Sequence, residues 1–356
     1  MAPNTYDSLN SRSFRAATMC WPARHIASRW GIVLAGGEGT RMRPLISHWL
    51  GEDRPKQYCT FVGTRSMLEH TIARARSVVR GNQILTVIGR GHGKFLNGSA
   101  TGELPGRVLE QPSNLGTAPG VLLPTAYVLA DDPEATLILL PSDHFVHPEN
   151  RFCDHMLHAL EMAEEHHDRI ILVGAVPDRA ETEYGWIDFG GPWTGNRDAL
   201  AHEPIKVQRF REKPDVKEAR ALRRQGCLWN TMVITVKAKK LWALGRQCMP
   251  ETMYKFDAFL MVLRAVREGR LESRFEASAL ASLYNDLGPA DLSRDILEHV
   301  PEQSLVLRLE GVDWCDWGHP QRVTETLAGL GRHPSFSPHG LECPGESATV
   351  ANESNK

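Results

Sequence analysis

The chain is short of the features that mark several large protein classes. Across 356 residues its formal charge at pH 7 is only -2, so it lacks the basic excess that drives association with nucleic acids or membrane surfaces. Its longest apolar runs, "TLILL" and "IILVGAV", fall far short of the roughly 20 residues that span a bilayer. Its seven cysteines are odd in number, scattered, and never spaced C-x-x-C. That pattern offers neither a disulfide framework nor a zinc knuckle, and it fits reduced thiols in a cytoplasmic protein. There is no H-E-x-x-H either, although "DHFVH", "DHMLH" and "EEHHD" are rich in histidine; H-x-x-H alone is common on exposed helices. The basic-looking "REKPDVKEARALRRQG" mixes both signs at helical spacing and reads as a solvated helix face. No internal repeat and no hexapeptide array is visible. What these absences leave is a globular protein with small-molecule partners, in which 42% hydrophobic residues supply a sizeable core.

The two ends differ from the middle. Residues 1–29 are rich in Ser and Arg, have Asp7 as their only acid and lack an apolar core. They are expected to be an unstructured extension or an overlong start, with only a faint likeness to a transit peptide. Residues 332–356 are rich in Pro, Ser and Gly and are expected to be a disordered tail that carries no second catalytic module. Between them, residues 30–331 are expected to form one domain, with a core over 30–237 and a helical part over 238–331.

Within that core, short β-like runs alternate with helical patterns, the signature of a doubly wound α/β sheet. "WGIVLA", "ILTVIG", "TLILL", "RIILVGA" and "VQRF" read as strands, and "SLVLRLEGVDW" as a late one. Residues 66–79 read as a helix opened by a capping box of Ser66 and Glu69. "GTAPGVLLPTAYVLA" and "ENRFCDHMLHALEMAEE" supply crossover helices. Strands this apolar imply a mostly parallel sheet covered on both faces, where ligands bind outside the carboxyl ends of the strands.

The first strand runs into "AGGEGTRMRP". A dinucleotide fingerprint fails here because Met42 stands where its last glycine belongs, and no Gly-Lys-Ser/Thr is present for a Walker loop. The glycines, Gly36, Gly37 and Gly39, still let backbone N–H groups approach an anion closely, with Thr40 beside them. Arg41 and Arg43 add forks suited to phosphate.

"LAGGEGTRMRPL" followed by "RPKQY", and then "EQPSNLGTAP", "LLPSDH", "EYGWIDFG", "FREKPD", "LWNTM" and "VDWCDWG", together resemble the sugar-1-phosphate nucleotidyltransferases. Order and spacing are similar to those of the mannose-1-phosphate guanylyltransferases, over nearly the whole of 30–331. The resemblance implies a Rossmann-like doubly wound mixed sheet with a helical C-terminal extension. It also implies Mg²⁺ and a reaction of an NTP with a sugar 1-phosphate giving an NDP-sugar and pyrophosphate. GTP and mannose 1-phosphate are the favoured pair, a homodimer is compatible with it, and neither nucleic acid nor membrane is expected as a partner. Two alternatives stay open: a catalytically inactive relative that binds NDP-sugar as a sensor, and the same reaction with another NTP or sugar.

In-line displacement at the α-phosphorus needs two polyanions brought together and the charge moving onto pyrophosphate stabilised. Asp143 closes a buried strand and Asp316 follows the late one, and two aspartates suit Mg²⁺, which takes one or two carboxylates. The plainer alternatives are a helix cap and a turn residue. By the resemblance, Lys56 lies near the nucleotide and pyrophosphate, Lys213 near the sugar phosphate, and Arg41 on the transferring phosphoryl group. The same resemblance assigns Glu110, Asn114, Gly116 and Thr117 to the nucleoside, and Gly185, Glu212 and Asn230 to the sugar. Met232 departs from the family pattern, which has glycine there.

Overall fold

The run Thr136–Leu140 is buried at every residue, as in a strand covered on both faces. The computed structural model describes residues 28–96, 104–191 and 204–337. The expected extension 1–29, apart from residues 28 and 29, and most of the tail 332–356 lie outside them.

The strands are β1 (Arg29–Ala35), β2 (Ile84–Ile88), β3 (Arg107–Glu110), β4 (Thr136–Pro141), β5 (Phe145–His147), β6 (Ile170–Ala175), β7 (Gly185–Asp188), β8 (Ile205–Lys206), β9 (Arg209–Glu212), β10 (Leu228–Lys237), β11 (Ser304–Leu309) and β12 (Asp313–Cys315). The main sheet runs β3-β2-β1-β4-β10-β6-β11-β8, with β7 on β10 and β9 on β7. The β3-β2-β1-β4 half is parallel, β10 lies antiparallel to both β4 and β6, and β11 runs parallel to β6. The chain therefore forms the expected mixed α/β sheet. Its order reverses between β1 and β4, which makes the loops after these two strands the crevice where such sheets bind ligands.

The helices are α1 (Arg43–Leu50), α2 (Met67–Val78), α3 (Thr117–Asp131), α4 (Glu149–Glu165), α5 (Val216–Gln225), α6 (Ala238–Cys248), α7 (Pro250–Arg267), α8 (Arg274–Asp286), α9 (Leu292–Asp295) and α10 (Pro320–Gly329). The capping box at α2 is present: Ser66 Oγ accepts from Glu69 N–H at 3.2 Å, and Glu69 accepts from Ser66 N–H at 2.7 Å. One face of the sheet packs on α2 and α4. The other packs on α3, which is buried from Ala118 to Leu129, as expected for a helix apolar all round. Phe256, Phe259 and Leu263 of α7 cover α3 from outside within the same core, so the helical part after residue 237 shares the core of the sheet.

Two expected strands are broken, each for a visible reason. In "VQRF", Val207 N–H donates to Ser304 while Gln208 N–H donates to Asp188. Consecutive amides thus serve different strands, so the run divides into β8 on β11 and β9 on β7. In "SLVLRLEGVDW", Gly311 takes a left-handed backbone at φ 63°, and β12 leaves the main sheet to pair with β5. Residues 332–337 continue beyond the boundary expected at 331: Ser335 N–H donates to Phe61 at 2.8 Å, and Phe336 is buried between Trp49 and Phe61.

Candidate active site

The loop after β1 is braced from below. Gln57 donates through Nε2 to the carbonyls of Ala35 and Gly37, both at 2.8 Å, and Tyr58 O–H donates to Ala35 at 3.2 Å. Gly39 turns left-handed at φ 59°, and a Cβ there would lie 3.1 Å from Lys56 N, so the turn favours glycine. Above it opens a cavity of about 320 Å³ lined by Gly36, Gly37, Gly39, Asn114, Gly116, Thr117 and Asp143 among others. Gly116, at φ 94°, leads into α3; a Cβ on it would stand 2.3 Å from the carbonyl oxygen of Ala290. The segment before α9 is thus clamped on the start of α3, and it is fixed further by Leu292 N–H donating to Thr117 Oγ1 at 2.8 Å.

Asp143 and Asp316 are brought together by the small sheet. In its register Cys315 faces Phe145, which places Asp143, two residues before β5, and Asp316, the residue after β12, at the same end of the pair. Lys56 closes the arrangement: its buried Nζ donates to Asp143 Oδ2 at 2.9 Å and to the carbonyl of Asp316. Burial pushes the Asp143 carboxyl up, but Lys56 and His144 more than offset this and hold it below the usual carboxylate range. Burial and Lys56 keep His144 below an ordinary imidazole, against the pull of Asp143. Asp316 Oδ1 accepts from Tyr184 O–H, from Gly318 N–H at 2.9 Å and from Arg322 at 3.2 Å, whereas Oδ2 meets Arg41 at 3.5 Å.

A second cavity, about 470 Å³, adjoins the first and is lined by Thr40, Arg41, Gly185, Glu212, Lys213, Asn230 and Asp316, with Glu183, Asp291 and Ser293 beside them. Thr117, His144 and Met232 line both. Arg41 is ion-paired with Glu183 here. Burial, and then repulsion from Asp291, raises the Glu212 carboxyl above its ordinary value, with Lys213 opposing. A larger cavity, about 520 Å³, lies behind Tyr184 and Trp314; it contains none of the glycine loop.

The structure therefore gathers Gly36, Gly37, Gly39, Thr40, Arg41, Asn114, Gly116, Thr117, Asp143, Gly185, Glu212, Lys213, Asn230 and Asp316 around two adjoining cavities, with Lys56 beneath. Glu110 stands apart, its carboxylate accepting from Gly91 N–H at 3.1 Å, and Arg43 is ion-paired with Glu38 and Asp53. Cys59 is buried, and burial pushes its thiol up to about 12. Among the described residues no cluster of three or more His, Cys, Asp or Glu is arranged to hold a metal, and no helix is long and apolar enough to cross a membrane. Sequence reasoning missed Tyr184, Arg322, Asp291 and Ser293. Tyr184 lay within a quoted motif, but the other three carried no local signal.

A family profile described as nucleotidyl transferase matches residues 30–328. A mannose-1-phosphate guanylyltransferase of Klebsiella pneumoniae is 30% identical over 213 residues, 59% of this chain and 43% of that protein. One of Escherichia coli is 29% identical over 283 residues, 77% of this chain and 54% of its own length. The chain thus spans about half the length of the curated relatives it matches. The crystal structure of a Thermus thermophilus protein, described as a mannose-1-phosphate geranyltransferase, is similar at 27% identity and a TM-score of 0.67, covering 88% of this chain and 81% of that one.

Proposed function

The chain belongs to the nucleotidyl transferase family, and from that premise we propose that it joins an NTP to a sugar 1-phosphate, releasing pyrophosphate and an NDP-sugar. GTP and mannose 1-phosphate are the pair we favour, on the names of its relatives. The observation that carries the reading is the buried Lys56 ammonium, hydrogen-bonded to both the Asp143 carboxylate and the Asp316 backbone where the two cavities meet.

In this reading the glycine loop receives the triphosphate on its backbone N–H groups, and the nucleoside lies against Asn114, Gly116 and Thr117. The sugar hydroxyls face Glu212 and Asn230, with Lys213 on the sugar's phosphate. A phosphate oxygen of the sugar 1-phosphate attacks the α-phosphorus in line, the bond from that phosphorus to the bridging oxygen breaks, and pyrophosphate leaves with the electron pair. Lys56 and Arg41 offset the charge that moves onto the departing oxygens. Arg41 must then exchange Glu183 for phosphate.

The donors fit Mg²⁺. Asp143 is a partly exposed carboxylate whose Oδ1 lies 3.7 Å from the His144 ring, and Asp316 adds Oδ2; hard oxygen donors, one or two in number, are what this ion takes from proteins. Asp143 and Asp316 would hold it, and when bound it would neutralise phosphate charge beside the reacting phosphorus.

The test is a matrix of nucleoside triphosphates against sugar 1-phosphates, with Mg²⁺ and with chelator, read as pyrophosphate release. The expected result is metal-dependent release, greatest with GTP and mannose 1-phosphate. Binding of an NDP-sugar with no release from any pair would overturn the reading in favour of a sensor.

A further inference from the structure

Among the described residues, three that are not glycine adopt the left-handed backbone: Lys213 at φ 46°, Met232 at φ 56° and Trp317 at φ 48°. For an L-residue this backbone is strained, and such strain collects where function needs it. Lys213 has a cavity-lining charge to present, and Trp317 stacks on Phe145 beside Asp316. Met232 has no charge and no strong hydrogen-bonding group. It sits in a bulge where the register of β10 against β6 skips from Asn230 to Ile234, and its N–H donates to Asn230 Oδ1 at 3.1 Å. From there the side chain reaches across to α9, where Ser293 Oγ donates to Sδ at 3.5 Å. It is half-buried and lines both cavities. A glycine would adopt the same turn without strain, so what the turn gains from Met232 is the side chain itself, standing between two spaces.

We propose that Met232 is a specificity-determining residue, a partition between the two half-sites that excludes sugar 1-phosphates bulkier than a simple hexose. This rests on the function proposed above. An apolar wall of this kind discriminates modestly: one methylene in a hydrophobic pocket changes selectivity by roughly 10–200-fold. A partition acting through shape depends on side-chain volume. Leucine at 232 keeps that volume, alanine removes most of it, and glycine removes both side chain and strain.

The experiment compares wild type with Met232→Leu, Met232→Ala and Met232→Gly. The substrates are mannose 1-phosphate and two enlarged relatives, a 2-acetamido-hexose 1-phosphate and a heptose 1-phosphate. Selectivity is read as the ratio of kcat/KM, and independently as the ratio of Kd values from calorimetric titration without turnover. Expected is a shift of about tenfold or more towards an enlarged sugar in the alanine and glycine variants, with leucine close to wild type. A residue that only packs would lower Tm and leave these ratios alone. Ratios within twofold of wild type in both small-residue variants, or no binding of any sugar phosphate by any of the four proteins, would overturn the proposal. If binding ratios shift while no protein releases pyrophosphate, the partition stands and the proposed reaction fails.

Discussion

The loop cavity is wound largely from three stretches, 34–39, 111–120 and 141–144, whereas the carboxylate-lined cavity beside it gathers side chains from 40–41, 183–185, 212–213, 230–232, 291–293 and 314–316. They also turn their backbones differently. The first turns on glycine at Gly39 and Gly116 and the second on Lys213, while Met232 stands on the border of both. A loop that offers its own amides to an anion has no use for side chains at its turns. On the function proposed above, a wall that reads a sugar and holds its phosphate would need the side chain even where the backbone resists it. The first half-site is thus specified locally and the second only by the finished fold.

The largest expected effects lie where the two halves meet. Asp143→Asn keeps size and removes the charge that pairs with Lys56, and pyrophosphate release is expected to fall by ~10³-fold or more, as when a group holding a catalytic ion is lost. Melting temperature, recorded alongside, separates this from unfolding. Next in size, Arg41→Ala is expected to lower kcat by ~10²–10³-fold, the usual cost of one preorganised donor. A change confined to the KM for one substrate would assign Arg41 to one cavity instead of to the transferring group. Third, Gly116→Ala probes whether the halves are coupled. The added Cβ collides with the Ala290 carbonyl, so the 290–293 wall of the second cavity must shift although the substitution lies in the first. Strain of ~1–3 kcal/mol and a raised KM for both substrates are expected; a rise for the nucleotide alone would make the halves independent.

The same contrast explains what the sequence disclosed. The β1 strand, the glycine loop and the α2 capping box each depend on residues within a few positions of one another, and a linear reading finds them. Both crossover helices fell within a residue of their expected bounds, because apolar runs between strands have few other ways to be buried. Asp316's neighbours were invisible by comparison. Arg322 reaches it from the helix that follows and Tyr184 from 132 residues upstream, and nothing near either residue announces the meeting. Asp291 and Ser293 belong to a stretch with no motif, placed by the clamp on Gly116. Glu110 erred in the opposite direction: it lies within a quoted string, yet its carboxylate turns to Gly91, because string membership fixes where a residue lies and leaves open where its side chain points.

The smallest effect on turnover is expected outside both cavities, which makes it the control for all the others. Glu149 opens α4 and accepts from His70 and from the buried Arg74, at 3.1 and 3.0 Å; Arg74 also donates to the His144 carbonyl at 3.3 Å. Burial raises the Glu149 carboxyl, but His70 and Arg74 outweigh that and hold it below its ordinary value of 4.5. A carboxyl depressed in the folded state contributes stability that is fully present above its unfolded value and lost as pH falls through the folded one. Glu149→Gln is therefore expected to cost about 1.5–3 kcal/mol at neutral pH, the scale of a hydrogen bond to a charged group. In urea titrations the gap from wild type should narrow steadily as pH drops below 4.5. Turnover of the folded enzyme should change little, because Glu149 lines neither cavity. If turnover fell with stability, the His144 carbonyl would be transmitting α2's position to the carboxylates, and the second half-site would extend further into the fold than its lining shows.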